Sequence, residues 1–170
     1  MRQTPYFLAY VLLVLAQLLI TNYLHLTPYL MLSILPVLVL TIPLRISTVG
    51  ALCIAFATGL GVDLLAEGVL GINTVALLPV AFVRRGLVNL LFGDELFARK
   101  EDFSIHRNGF AKVFAAMVVA QALFLALYIW ADGAGVRPFW FNAARFGVSF
   151  AAGLAVSLLV IDTLAPDEKK

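Results

Sequence analysis

Charge is what this sequence has least of. Only 13% of its 170 residues are Asp, Glu, Lys or Arg, whereas 62% are hydrophobic. Soluble domains carry roughly 25% charged residues, so a water-facing fold would lack the polar groups needed to cover this much apolar side chain. A bilayer solvates such a surface instead. Cysteine is down to a single residue, Cys53, in an apolar run, which excludes a disulfide framework and a cysteine metal cluster. Histidine is limited to His25 and His106, so bases for nucleophilic catalysis are scarce. The net charge of +2 is too small to argue for nucleic acid as a partner.

What the chain has in abundance is long apolar runs. A helix needs about 20 apolar residues to cross the hydrocarbon, and six stretches qualify: Tyr6–Leu26, Pro28–Leu44, Thr48–Ala66, Leu70–Val83, Gly109–Ala131 and Phe139–Leu164. The chain therefore reads as an all-α integral membrane protein with six transmembrane helices, a single polytopic domain over residues 1–170 with no soluble domain. The first stretch has no small-residue cleavage site after it and reads as a retained helix, not a removed signal. Pro36 and Pro43 remove backbone donors from the second and predict a kink there. The fourth is short; it is either tilted or continues past Arg84 and Arg85.

Basic residues set the orientation. With the N-terminus inside, ten of the twelve fall in cytoplasmic segments: Arg2, Arg45, Arg84, Arg85, Arg99, Lys100, Arg107, Lys112, Lys169 and Lys170. Arg137 alone falls in an external loop, and Arg145 lies within the last helix. Both termini are thus predicted to be cytoplasmic. External connections at Leu26–Pro28, Glu67–Val69 and Asp132–Pro138 are short. The connection from Arg84 to Asn108 is long and cytoplasmic, and Gly86–Phe92 reads equally as a short interfacial helix or as more of helix four.

Small residues recur every four positions as Ala51, Ala55 and Gly59, and again as Gly147, Ala151 and Ala155, with Ser149, Gly153 and Ser157 alongside. In lipid this spacing lets helix backbones approach closely, within the molecule or across a homo-oligomer interface. Gln17, Ser33, Thr41, Thr58 and Gln121 fall at mid-membrane depth and are expected to hydrogen-bond between helices.

Ionisable groups inside a membrane each merit a functional hypothesis. Asp63 sits near the outer end of helix three and Arg145 about two turns into helix six, at similar depths by helical rise. They could form an ion pair; alternatively Arg145 reaches the headgroups and Asp63 caps a loop. Enzymatic readings fail on spacing. The other carboxylate within a helix, Asp162, belongs to the opposite end of the bilayer, and Cys53 shares its helix with no histidine. The glycines at 59, 61, 68 and 71 follow no strand and make no phosphate-binding loop. Trp130, Phe139 and Trp140 at the last external turn read as an interfacial aromatic belt. No catalytic, metal or cofactor site is expected, and the structural or interaction candidates are Asp63, Arg145, Gly59, Gly61, Gly71 and Gly153.

The stretch Gly59-Leu60-Gly61-Val62-Asp63-Leu64-Leu65, followed by Gly68 and by Leu70-Gly71-Ile72-Asn73, resembles the MreD family of rod-shape-determining membrane proteins. The close likeness covers about 25 residues; hydropathy, chain length and short external loops fit as well. Val69 departs from the proline that the family often has before its Leu-Gly. The resemblance implies a non-enzymatic scaffold of the elongasome in the bacterial inner membrane. Its implied partners are an MreC-like single-span coiled-coil protein, the MreB filament, and the polymerase and transpeptidase of peptidoglycan synthesis. That family is also similar in fold to the substrate-binding subunits of energy-coupling-factor transporters, which leaves a vitamin-binding membrane subunit as the alternative.

Overall fold

The computed structural model describes residues 4–23, 30–93, 109–133 and 136–164. The predicted external connection Leu26–Pro28, most of the basic loop (94–108) and the charged C-terminus (165–170) lie outside them. The described residues form helices and connecting turns, with no strand among them. In chain order the helices are α1 (Thr4–Tyr23), α2 (Leu35–Thr41), α3 (Thr48–Val62), α4 (Ile72–Phe92), α5 (Phe110–Gly133) and α6 (Phe139–Leu164). The last turn of α3 widens into a π-helical turn over Asp63–Glu67. Four helical segments are long and apolar enough to cross a membrane: Thr48–Glu67, Ile72–Phe92, Phe110–Gly133 and Phe139–Ile161. A shorter apolar helix spans Phe7–Tyr23. Their outer surfaces carry large exposed apolar side chains such as Phe7, Leu12, Phe56, Phe82 and Leu159. Such surfaces are expected of helices solvated by lipid.

One element departs from the sequence expectation, and another decides between two readings left open. The second predicted helix, Pro28–Leu44, is helical only over Leu35–Thr41, and residues 30–34 are irregular. Two prolines explain the limits. Pro36 stands in the first turn, where its missing N–H costs nothing. Pro43 forces the preceding Ile42 into extended geometry (φ −51°, ψ 131°), which ends the helix. Every residue of α2 is buried, packed against α4 and α5. Irregular backbone is tolerated at membrane depth only where protein covers it. The fourth helix, in turn, runs on to Phe92, so Gly86–Phe92 is its continuation and not an interfacial helix.

That continuation puts Arg84 inside α4. Instead of flanking a span, Arg84 is buried, and its guanidinium donates to the carbonyls of Leu40 (3.3 Å) and Ile42 at the end of α2. A cation at a helix C-terminus satisfies carbonyls that have no intrahelical donor and complements the dipole.

Candidate functional site

Polar side chains gather in two places. The first surrounds the irregular segment before α2. Gln17 of α1 accepts from the N–H of Ile34 (2.8 Å) and donates to the carbonyl of Leu32 (3.2 Å). Ser149 of α6 accepts from the N–H of Met31 (2.8 Å), and the Gln121 amide of α5 donates to the carbonyl of Ser33 (3.4 Å). Three helices thus supply the partners that a continuous helix would have provided internally. Gly153 belongs to this arrangement, because a Cβ there would run into the Gln121 amide. Of the polar residues expected to bond between helices, Gln17 and Gln121 serve the backbone of the broken helix, whereas Ser33 accepts from the N–H of Leu35 and Thr41 donates to the carbonyl of Leu38 within that segment. Thr58 makes a side-chain link instead, to the Tyr10 hydroxyl at 3.0 Å.

The second cluster lies at the end of the bundle where α3 and α5 stop and α4 and α6 start. The π turn sets it up. The N–H of Gly68 bonds to the carbonyl of Asp63 at 3.0 Å, five residues back, and Gly68 takes a left-handed φ of 68°. Asp63 is completely buried there. Its Oδ1 accepts from the backbone N–H (2.9 Å) and the side-chain amide (3.0 Å) of Asn73. Its Oδ2 accepts from the N–H groups of Gly71 (3.0 Å) and Thr74 (3.1 Å) and from the Thr74 hydroxyl (2.7 Å). A carboxylate at a helix start meets unsatisfied donors and the positive end of the dipole together. Gly71 (φ 100°) adopts the left-handed conformation that lets the chain turn in front of Asp63. Gly59 lets the helices close: a Cβ there would lie 2.7 Å from the Cα of Thr74.

One turn beyond Asp63, Glu67 accepts from the Tyr128 hydroxyl at 3.1 Å to each oxygen. The Tyr128 ring lies under the Arg145 guanidinium, 5.8 Å from its centroid, and Arg145 is ion-paired with Asp132. Arg137 joins the same Asp132 oxygen at 2.7 Å. The direct Asp63–Arg145 pair considered from sequence is not formed. Asp63 caps α4, Arg145 pairs with Asp132, and Asn73, Glu67 and Tyr128 lie between them.

Of the remaining candidates, Gly61 is open, since a Cβ there would meet nothing within 4 Å, and Cys53 is exposed on α3. The small-residue faces of α6 divide: Ser149, Gly153 and Ser157 are buried, whereas Gly147, Ala151 and Ala155 face outward. Sequence reasoning missed Glu67, Asn73, Thr74, Tyr128 and Asp132. A usable signal was present: the five carboxylate and guanidinium residues assigned to the external side, Asp63, Glu67, Asp132, Arg137 and Arg145, are the charged members of this one cluster. Four buried polar atoms lack a partner among the described residues: Asn73 Oδ1, Asn142 Oδ1, Arg145 Nε and Ser157 Oγ. The described residues hold no group of three potential metal ligands. Comparison with protein-family models, with curated proteins and with solved structures finds no match.

Proposed function

We propose that this chain is a non-catalytic membrane scaffold of six spans with both termini in the cytoplasm. In this reading α1 and the broken second segment complete the six. Following the resemblance to MreD, it works in the bacterial inner membrane within the cell-elongation machinery. Its partners are an MreC-like single-span coiled-coil protein and, through the complex, MreB and the peptidoglycan polymerase and transpeptidase. The observation that carries this reading is how the interior polar groups are used. Gln17, Asp63, Thr58, Arg84, Gln121 and Ser149 all bond to the chain itself. Groups held this way stiffen a fold; they form no row of exchangeable acids for a proton path. The outward face of Gly147, Ala151 and Ala155 supplies a surface on which a partner helix can pack closely.

One observation favours the second reading, a vitamin-binding subunit of an energy-coupling-factor type transporter. Broken helices with unwound backbone often mark substrate sites in transporters, and residues 30–34 with α2 have that form. Against it, the Gln17, Gln121 and Ser149 side chains beside that backbone are occupied by it. Purification from mild detergent separates the two. A scaffold co-purifies with a coiled-coil membrane protein, and its depletion turns elongated cells round. A vitamin that raises the melting temperature at micromolar concentration, with no change of cell shape on depletion, overturns the scaffold. At one hundred times its Kd a true ligand adds roughly 2.7 kcal/mol.

A further inference from the structure

The unused hydrogen-bonding capacity at the start of α6 points outward from the fold's own needs. Arg137 and Arg145 both donate through Nη1 to the same oxygen, Oδ2, of Asp132. Two guanidiniums thus share one carboxylate, and the nearby Glu67 is engaged by Tyr128. The Arg145 Nε, although buried, has no acceptor among the described residues, and Oδ1 of the neighbouring Asn142 has no donor. Each guanidinium lies over a ring, Arg137 at 5.6 Å from the Phe141 centroid and Arg145 at 5.8 Å from that of Tyr128. A planar guanidinium set over a ring, with an Nε–H to spare, is suited to bidentate recognition of a phosphate. With Asp63 and Glu67 on the same end the cluster carries a formal charge of −1, so the site rests on the convergence of two guanidiniums on one oxygen and on the spare donor, not on net charge.

The surroundings identify the source of that phosphate. Trp130, Phe139 and Trp140 are more than 70% exposed on the same end of the bundle. Aromatic side chains in this position lie at headgroup depth. We propose that Arg145, Arg137 and Asn142 form a binding site for the phosphate of a glycerophospholipid, with Asn142 Oδ1 accepting from a headgroup hydroxyl such as that of phosphatidylglycerol. The site requires only that the helices lie in a membrane and is independent of the scaffold reading.

The full chain, delipidated in neutral detergent, tests this. Phosphatidylglycerol is titrated against diacylglycerol of the same acyl chains and against inorganic phosphate, reading the melting temperature and, by native mass spectrometry, the bound lipid. Phosphatidylglycerol raises the melting temperature and is retained at one molecule per chain; diacylglycerol and millimolar phosphate do neither. Arg145→Lys keeps a cation for Asp132 but removes the planar fork, and it weakens lipid retention at least tenfold. Arg137→Gln, at a side chain 39% exposed and therefore tolerant of change, weakens it similarly while the lipid-free melting temperature stays near that of the parent. Equal stabilisation by diacylglycerol, or undiminished retention in both variants, overturns the site. An equal response to inorganic phosphate assigns it to a free oxyanion and overturns the lipid.

Discussion

Asp63 brings two oxygens to five donors, three of them backbone N–H groups at the start of α4. Removing the carboxylate strands those donors in a buried place, where each unsatisfied group costs about 1–3 kcal/mol. Asp63→Ala is therefore expected to lower stability by at least about 3 kcal/mol, measured by equilibrium unfolding in mixed micelles. Asp63→Asn recovers less than half, because an amide keeps one acceptor oxygen and turns an NH2 group towards donors. Charge exchange distinguishes the partners. Asp63→Arg combined with Arg145→Asp should recover nothing over the single variants. Asp132→Arg combined with Arg145→Asp should recover part of its loss, since these two residues face each other. The opposite pattern would return Asp63 to Arg145 as its partner.

At the scale of helices, glycines separate by what stands opposite them. Gly59→Ala brings a Cβ to 2.7 Å from the Thr74 Cα and 2.9 Å from its nitrogen, and backbone cannot step aside. The helices must part, at a cost of about 1–3 kcal/mol. Gly61→Ala meets nothing within 4 Å and should be neutral or stabilising by up to about 1 kcal/mol, the helix preference for alanine. Thermal melting of the two variants side by side reads the difference; equal losses would show that α3 and α4 are not closely apposed. Gln17→Leu is expected to cost about 1–3 kcal/mol by stranding the Ile34 N–H, although it makes α1 more apolar. These cases also show what could be read in the sequence. Asp63 stood out because a charge in an apolar run is rare, and Pro36 and Pro43 marked a disturbed second helix. Its reduction to one buried half-helix was not legible, since the donors and acceptors that permit it come from Gln17, Gln121 and Ser149, which are distant in sequence. The partners of Asp63 were hidden for a related reason: backbone N–H groups leave no letter behind. Arg84 misled because a basic residue after an apolar run normally marks a membrane boundary, whereas here it caps α2 from within α4.

For the molecule as a whole, charge is distributed unequally between the two ends. At the end holding Asp63, the guanidiniums of Arg137 and Arg145 are tied to Asp132. At the other end Arg45, Arg85 and Lys112 are exposed. Basic residues near span ends are retained on the cytoplasmic side, so the Asp63 end is expected to face outward. The distance between the ends suits a bilayer: the 21 residues of α4 rise about 31 Å, close to the thickness of the hydrocarbon core. Val69 and Val136 are exposed at the first end, while Arg45 and Gly93 are exposed in the turns at the second. With Cys53 replaced by alanine, a cysteine at Val69 or Val136 should react with an impermeant thiol reagent added to intact cells. A cysteine at Arg45 or Gly93 should react only after the membrane is permeabilised. Reaction at Arg45 or Gly93 from outside, with Val69 and Val136 protected, would invert the molecule. The phosphate site would then face the inner leaflet, although its chemistry would be unchanged.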